Sequence, residues 1–284
     1  MGKLDGKVVF ITGAARGQGR SHAVRLAGQG ADVIAVDLCE TFDSMNYPLA
    51  TDEDLAMTVK LVEETGRKIV AVKADVRIKS DLAAALKQGI DQLGRLDVVI
   101  ANAGVNTKLD PTLIQSFTDG IDVDLIGVLN TVSVSLPHLG ELGSIIIIGS
   151  TAGLIPGLVD NPALGPGGAA YAWSKQTLSK YVEVLALHLA PSMIRANCIH
   201  PTSVDTDLMH NPDMYKTFRP DLENPTREDA ELAFPVLQAM PIPYLQPSDV
   251  SAFVEYLASD ESRYMTGMNV RIDGGCMLKT PGMR

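Results

Sequence analysis

Cysteine is scarce: Cys39, Cys198 and Cys276 are the only three in 284 residues, and no two share a CxxC spacing. That excludes a disulfide framework and a cysteine zinc site, and it predicts free thiols in a reducing compartment. The five histidines are dispersed as well, so no metal is expected. Basic residues are outnumbered, 24 Lys and Arg against 34 Asp and Glu, and form no cluster that would grip nucleic acid or an anionic membrane. No apolar run approaches the length needed to span a bilayer, and the opening MGKLDGKVVFITG enters a strand pattern without an apolar leader or cleavage site. These absences predict a cytoplasmic protein whose partners are small molecules, not nucleic acid or membrane. Aromatics are only 5%, whereas Gly (25) and short aliphatics abound, which suits helices packed closely on a sheet of Val, Ile and Ala.

What is present is a rhythm. Seven β-branched runs, KVVFITG, ADVIAVD, KIVAVKAD, LDVVIANAG, GSIIIIGS, MIRANCIHP and MNVRIDGG, alternate with amphipathic stretches at 17–30, 52–66, 79–93, 112–137, 169–190 and 247–258. Repeated β-α order calls for a parallel sheet covered on both faces by helices. The expected fold class is α/β: a Rossmann-type, doubly wound, seven-stranded parallel sheet in a single domain spanning 1–284. Three segments break the rhythm: an insertion at 38–51, the Pro- and Gly-rich 154–168, and a substrate-loop region at 203–246. Long loops at a sheet's edge commonly carry function.

TGAARGQG at 12–19 joins the first strand to the first helix. Gly13, Gly17 and Gly19, with Arg16 and Gln18 between them, permit a tight turn and let helix N-terminal amides approach a pyrophosphate. Asp37 ends the second strand 24 positions after Gly13, with Leu38 next, near the spacing of a carboxylate that accepts ribose hydroxyls. A carboxylate there repels a 2′-phosphate and favours NAD over NADP. Arg16 pulls the other way, because its cation could pair with that phosphate. Asp75 and Val76 after the third strand, and Asn102, Ala103 and Gly104 after the fourth, stand at carboxyl ends of parallel strands, where ligands bind in such sheets.

Tyr171 and Lys175, in YAWSK, share a helix face, and alone they would read as packing or solvation. Ser150, ending the fifth strand in IIIIGSTAG, adds a hydroxyl ahead of that helix. This constellation, with the glycine turn, NAG at 102–104 and HPTSVDT at 200–206, resembles the short-chain dehydrogenase/reductase family over essentially the whole chain. The resemblance implies Tyr171 as general base or acid, Lys175 as its tuner and a ligand of the nicotinamide ribose, and Ser150 as the group that fixes the substrate oxygen. It also implies Pro201, Val204 and Thr206 of the proline-led loop as cofactor contacts. A phenol ionises only near pH ~10, so a neutral-pH base needs a neighbouring cation. One departure stands out: IDVDLIGVLN carries Asp124 where the family has an Asn that helps hold a proton-relaying water. Asp124 is counted among the catalytic residues, with altered pH dependence expected and activity retained.

The 38–51 insertion, the first helix and HPTSVDT look like the subgroup called carveol dehydrogenases or mycofactocin-coupled short-chain dehydrogenases. That resemblance implies tightly held NAD reoxidised in place by mycofactocin, a peptide-derived redox cofactor, and oxidation of hydrophobic secondary alcohols such as terpenols. It also implies a homotetramer. The insertion would fold over the adenine side as a latch; a surface insertion with no effect on exchange is the alternative. Leu154, Ile155, Met209, Met214, Tyr215 and Phe218 are expected to bound an apolar substrate pocket. Two other readings stay open: a dehydrogenase with freely exchanging NAD acting on steroid or hydroxyacyl substrates, and an NAD-sensing protein without chemistry.

Overall fold

Strands buried on both faces need apolar side chains on both, and alternation sends successive residues to opposite cores. In the computed structural model, which describes residues 2–110, 112 and 114–279, the seven strands are β1 (Val8–Thr12), β2 (Asp32–Asp37), β3 (Ile69–Lys73), β4 (Leu96–Ala101), β5 (Leu139–Ile148), β6 (Arg195–Pro201) and β7 (Asn269–Ile272). They form one sheet ordered β3-β2-β1-β4-β5-β6-β7, parallel at every pairing. The helices are α1 (Gly17–Gly28), α2 (Asp52–Glu63), α3 (Lys79–Leu93), α4 (Ile114–Ile121), α5 (Gly127–Ser135), α6 (Gly165–Leu189), α7 (Pro212–Phe218), α8 (Arg227–Ala233), α9 (Pro247–Ala258) and α10 (Cys276–Lys279). Val9, Ile11, Val33 and Ile146 pack against α1, α2 and α9. Phe10, Ile34, Ile145 and Ile147 pack against α3, α5 and α6.

The departures from the sequence reading are local. The expected helix at 112–137 begins beside position 113, which lies outside the described residues, and it is split by a π-helical turn at Asp122–Ile126 between α4 and α5. α6 starts four residues earlier than expected, because Pro166 in its first turn needs no amide partner and presets a helical φ. Within 203–246 the chain forms α7 and α8, capped by Asn211 and Thr226. By length and composition alone the run Ile114–His138, with an 18-residue window of mean hydropathy 1.2, could cross a bilayer. Here Val123, Leu125, Val128 and Val132 are buried in the core beside α6, as in a helix of a packed interior.

Sheet order reverses between β1 and β4, which opens a crevice at their carboxyl ends. Behind it, α1 is tied to α9 by His22 Nδ1 against Ser251 Oγ (2.8 Å) and by Arg25 Nε donating to Glu255 Oε2 (2.7 Å). Burial holds the His22 ring down to about 3. An unfolded histidine takes its proton near pH ~6.5, so stability should fall as pH drops from there towards 3. Relative to His22→Leu, the wild type is expected to lose about 3 kcal/mol of urea-unfolding free energy between pH 7 and pH 4. A difference that does not change with pH would contradict a neutral, buried His22.

Candidate active site

Gly13 and Gly17 adopt φ of +67° and +55°, the left-handed region that favours glycine. A Cβ at Gly19 would strike Gly13 O and lie 2.8 Å from Asn102 Nδ2. Asn102 explains that closeness: its Nδ2 donates to Thr12 O (2.9 Å) and Gly13 O (3.1 Å), stitching the end of β4 to the turn after β1. The cradle therefore fits a pyrophosphate at the start of α1. Asp37 accepts from Ala15 N (2.9 Å) and Cys39 N (3.3 Å), and its remaining lone pairs are free for hydroxyl donors. Burial pushes the Asp37 carboxyl above its ordinary range, against the pull of the Ala15, Cys39 and Leu38 amides. Arg16 pairs with Asp207 Oδ2 (2.9 Å) and donates to Pro48 O (2.7 Å), so its cation is already engaged.

All the cofactor residues expected from the sequence line this crevice except Pro201 and Val204, which lie on a second cavity with Thr206 shared between the two. Asp75 lines the wall, but its carboxylate is clasped by Arg77 (Nε 2.8 Å, Nη2 2.6 Å), whose guanidinium lies 4.8 Å from the Phe42 ring centroid. Phe42, Tyr47 and Leu49 also line the crevice, and the sequence reading named none of them. The available signal was two aromatics inside the 38–51 insertion of a chain with few.

β5 ends in a turn, Thr151–Gly153, capped by Ser150 Oγ accepting from Ala152 N (3.1 Å). A Cβ at Gly153 would strike the backbone of Lys175 and Gln176, so α6 lies directly on this turn. The approach lets Lys175 Nζ donate to Ile148 O (3.1 Å), with the ammonium 5.5 Å from the Tyr171 ring centroid. Lys175 lines the crevice, Ser150 lines the second cavity, and Tyr171 lines both. That second cavity, about 560 Å³, has Ile155, Met209, Met214 and Phe218 on its wall. Leu154 and Tyr215 are not on it. Leu154 closes the turn, its amide donating to Thr151 O (2.8 Å), and Tyr215 is rotated about 100° along α7 from Met214 and faces His210 Nδ1 (3.5 Å). Asn106, Leu158 and Thr202 belong to this wall and were not expected.

Asp124 lies in the π-helical turn, fully buried and on neither wall, and its Oδ2 has no hydrogen-bond partner among the described residues. Its Oδ1 accepts from Val105 N (2.9 Å), and a Cβ at Gly104 would lie 2.9 Å from that oxygen and 3.4 Å from Lys175 Nζ. Asp124 thus acts on Lys175 through its field and on the β4 loop through the backbone. Burial pushes its carboxyl up to about 6, opposed by the Lys175 charge and the Val105 amide.

The short chain dehydrogenase family profile matches residues 7–214. The chain belongs to this family. It is 42% identical to (-)-trans-carveol dehydrogenase of Rhodococcus erythropolis over 98% of this chain and 100% of that one. It superposes with a TM-score of 0.91 on a crystal structure of carveol dehydrogenase from Mycobacterium avium in complex with NAD, at 41% identity over 98% of this chain and 100% of the other. A short chain dehydrogenase from Mycobacterium paratuberculosis bound to NAD gives a TM-score of 0.84 at 37% identity, covering 98% and 100%. Like its relatives, this short-chain dehydrogenase is an oxidoreductase.

The raised Asp124 carboxyl makes the folded state hold a proton that the unfolded chain releases near pH ~4, so stability should fall as pH rises from about 4 to 6. Asp124→Asn keeps the acceptor for Val105 N without the charge. The variant is expected to be about 2 to 3 kcal/mol more stable than wild type above pH 6, a gain that vanishes below pH 4. Urea unfolding at pH 4 and 7.5 reads the difference, and equal stability at 7.5 would contradict a buried charge.

Proposed function

We propose that the protein is an NAD-dependent oxidoreductase that interconverts a hydrophobic secondary alcohol and its ketone, with Tyr171 as general base. One observation carries the reading: of Ser150, Tyr171 and Lys175, Tyr171 alone lines both cavities, so its phenol stands between a dinucleotide crevice and an apolar chamber. NAD, when bound, supplies the acceptor for the hydride. The chain's own residues do the rest. Gly13, Gly17 and Gly19 receive the pyrophosphate, and Asp37 takes the ribose hydroxyls while repelling a 2′-phosphate. Ser150 Oγ spends one lone pair on Ala152 N and keeps its O–H for the substrate oxygen. Tyr171 takes the hydroxyl proton, while the Lys175 cation steadies negative charge on the phenol oxygen. A largely apolar chamber of about 560 Å³ suits a terpenol-sized alcohol, as the carveol dehydrogenase relatives suggest.

The 38–51 insertion supports the further reading of captive NAD, and its reoxidation in place by mycofactocin rests on the subgroup resemblance alone. It is tied down on several sides, by Arg16 bridging Pro48 O to Asp207, by Asn46 Nδ2 to Asn211 Oδ1 (3.3 Å), and by Ser44 Oγ to Asp119 (2.6 Å). These bonds close a strap across the crevice between α1 and the 203–246 region. Exposed Trp173, Val184 and Leu187 on α6, with Ile114 and Phe117 on α4, support a homotetramer.

The test is NADH formation from a panel of hydrophobic secondary alcohols. Tyr171→Phe is expected to lower kcat by at least about 10³-fold while NAD binding persists; wild-type turnover by this variant would sink the reading. For the strap, Arg16→Ala should speed release of bound NAD about three- to tenfold, and an unchanged release rate would rule the strap out.

A further inference from the structure

His200, near the end of β6, is fully buried and lines neither cavity. Its Nε2 lies 2.8 Å from Asn269 Oδ1, while Asn269 Nδ2 donates to Ser179 O (2.9 Å) and Glu183 Oε1 (3.2 Å). Those two acceptors fix the Asn269 amide with its oxygen towards the ring, so Nε2 carries a proton and donates it. Nδ1 then faces Ser150, 3.3 Å from its amide nitrogen and 3.0 Å from its carbonyl oxygen. Burial lowers the pKa of the ring against the pull of Asn269 and of the Ser150 carbonyl, and the ring stays neutral; with the proton on Nε2, Nδ1 is the acceptor for the Ser150 N–H. The preceding residue leaves no slack: a Cβ at Gly149 would lie 2.6 Å from His200 Nδ1 and 2.8 Å from Cys198 Sγ. The peptide that carries Ser150 therefore rests on the imidazole.

Ser179 and Glu183 follow Tyr171 and Lys175 at four-residue steps along α6, so the chain Glu183, Asn269, His200 runs from the catalytic helix back to Ser150. We infer that His200 is a positioning residue that fixes the Ser150 peptide and so aims the Ser150 hydroxyl at the substrate oxygen. It does so without touching substrate, and the inference rests on the reading of Ser150 given above. Lys175, bonded to Ile148 O, fixes the same strand end from the crevice side, so two separate struts hold Ser150 in register with Tyr171.

The experiment uses the geometry of the ring. His200→Asn keeps a polar atom where Nδ1 stands, whereas His200→Gln places one where Nε2 stands, which separates contact with Ser150 from contact with Asn269. In His200→Gln and His200→Ala, kcat/KM for the alcohol is expected to fall about 10- to 100-fold with NAD affinity within about twofold of wild type, and His200→Asn should recover most of the loss. In a Ser150→Ala background the same substitutions should add less than about twofold. Equal losses in the Asn and Gln variants, or full-sized losses without the Ser150 hydroxyl, would show that His200 serves only stability and overturn the inference. If His200→Ala does not fold, the Asn and Gln pair and the Ser150 background still decide. Ser150→Ala alone separates the two readings. If it leaves kcat/KM intact, the role of Ser150 fails and this inference with it; if it lowers kcat/KM while the His200 variants are silent, this inference alone fails.

Discussion

A Cβ at position 153 would collide with the backbone of Lys175 and Gln176, so glycine there is what lets α6 settle against the turn after β5. The arrangement of the proposed reacting centre depends on that approach. It brings the Lys175 ammonium to Ile148 O, on the crevice side of the strand end, and sets Tyr171 over the boundary between the two cavities. It also places Ser150 one residue ahead of the turn, capping it, with its donor hydrogen unspent. A buried ammonium is costly unless it is hydrogen-bonded, and here a strand-end carbonyl meets that need without neutralising the charge.

Much of this was legible because the signals were local. Seven apolar runs alternating with helical patterns can form little else than a parallel sheet, and the order β3-β2-β1-β4-β5-β6-β7 places the glycine turn and Asn102 on either side of the reversal. The spacing of Tyr171 and Lys175 and the strand-end position of Ser150 likewise survive folding unchanged. What was not legible depends on contacts distant in sequence. The π-helical turn at Asp122–Ile126 rotates Asp124 behind Gly104, a placement that helical periodicity cannot announce. Met214 and Tyr215 are neighbours in the sequence, and the phase of α7 decides that Met214 meets the chamber while Tyr215 joins His210. Of the two aromatics of the insertion, Phe42 lies under Arg77, which Asp75 holds, a contact between segments distant in sequence.

Charge is used sparingly and in opposed pairs around the site. Asp37 faces the crevice with its carboxyl pushed up by burial, and Arg16, a nearby cation that could invite a second phosphate, is occupied by Asp207 and Pro48 O. Those two bonds also join the turn after β1 to the insertion and to the loop after β6. The chamber beyond is bounded by thioether and aromatic side chains of α7, which adapt to an apolar ligand without offering it many polar contacts.

The central claim is that the close approach of α6 to the Ser150 turn aligns the three reacting side chains. Gly153→Ala tests it most directly, by steady-state kinetics on a secondary alcohol together with NAD affinity of the same preparation. The account predicts a fall in kcat/KM of about 100-fold with NAD affinity within about threefold of wild type, because the glycine cradle and Asp37 lie away from the displaced helix. Full activity in a folded Gly153→Ala protein would contradict it.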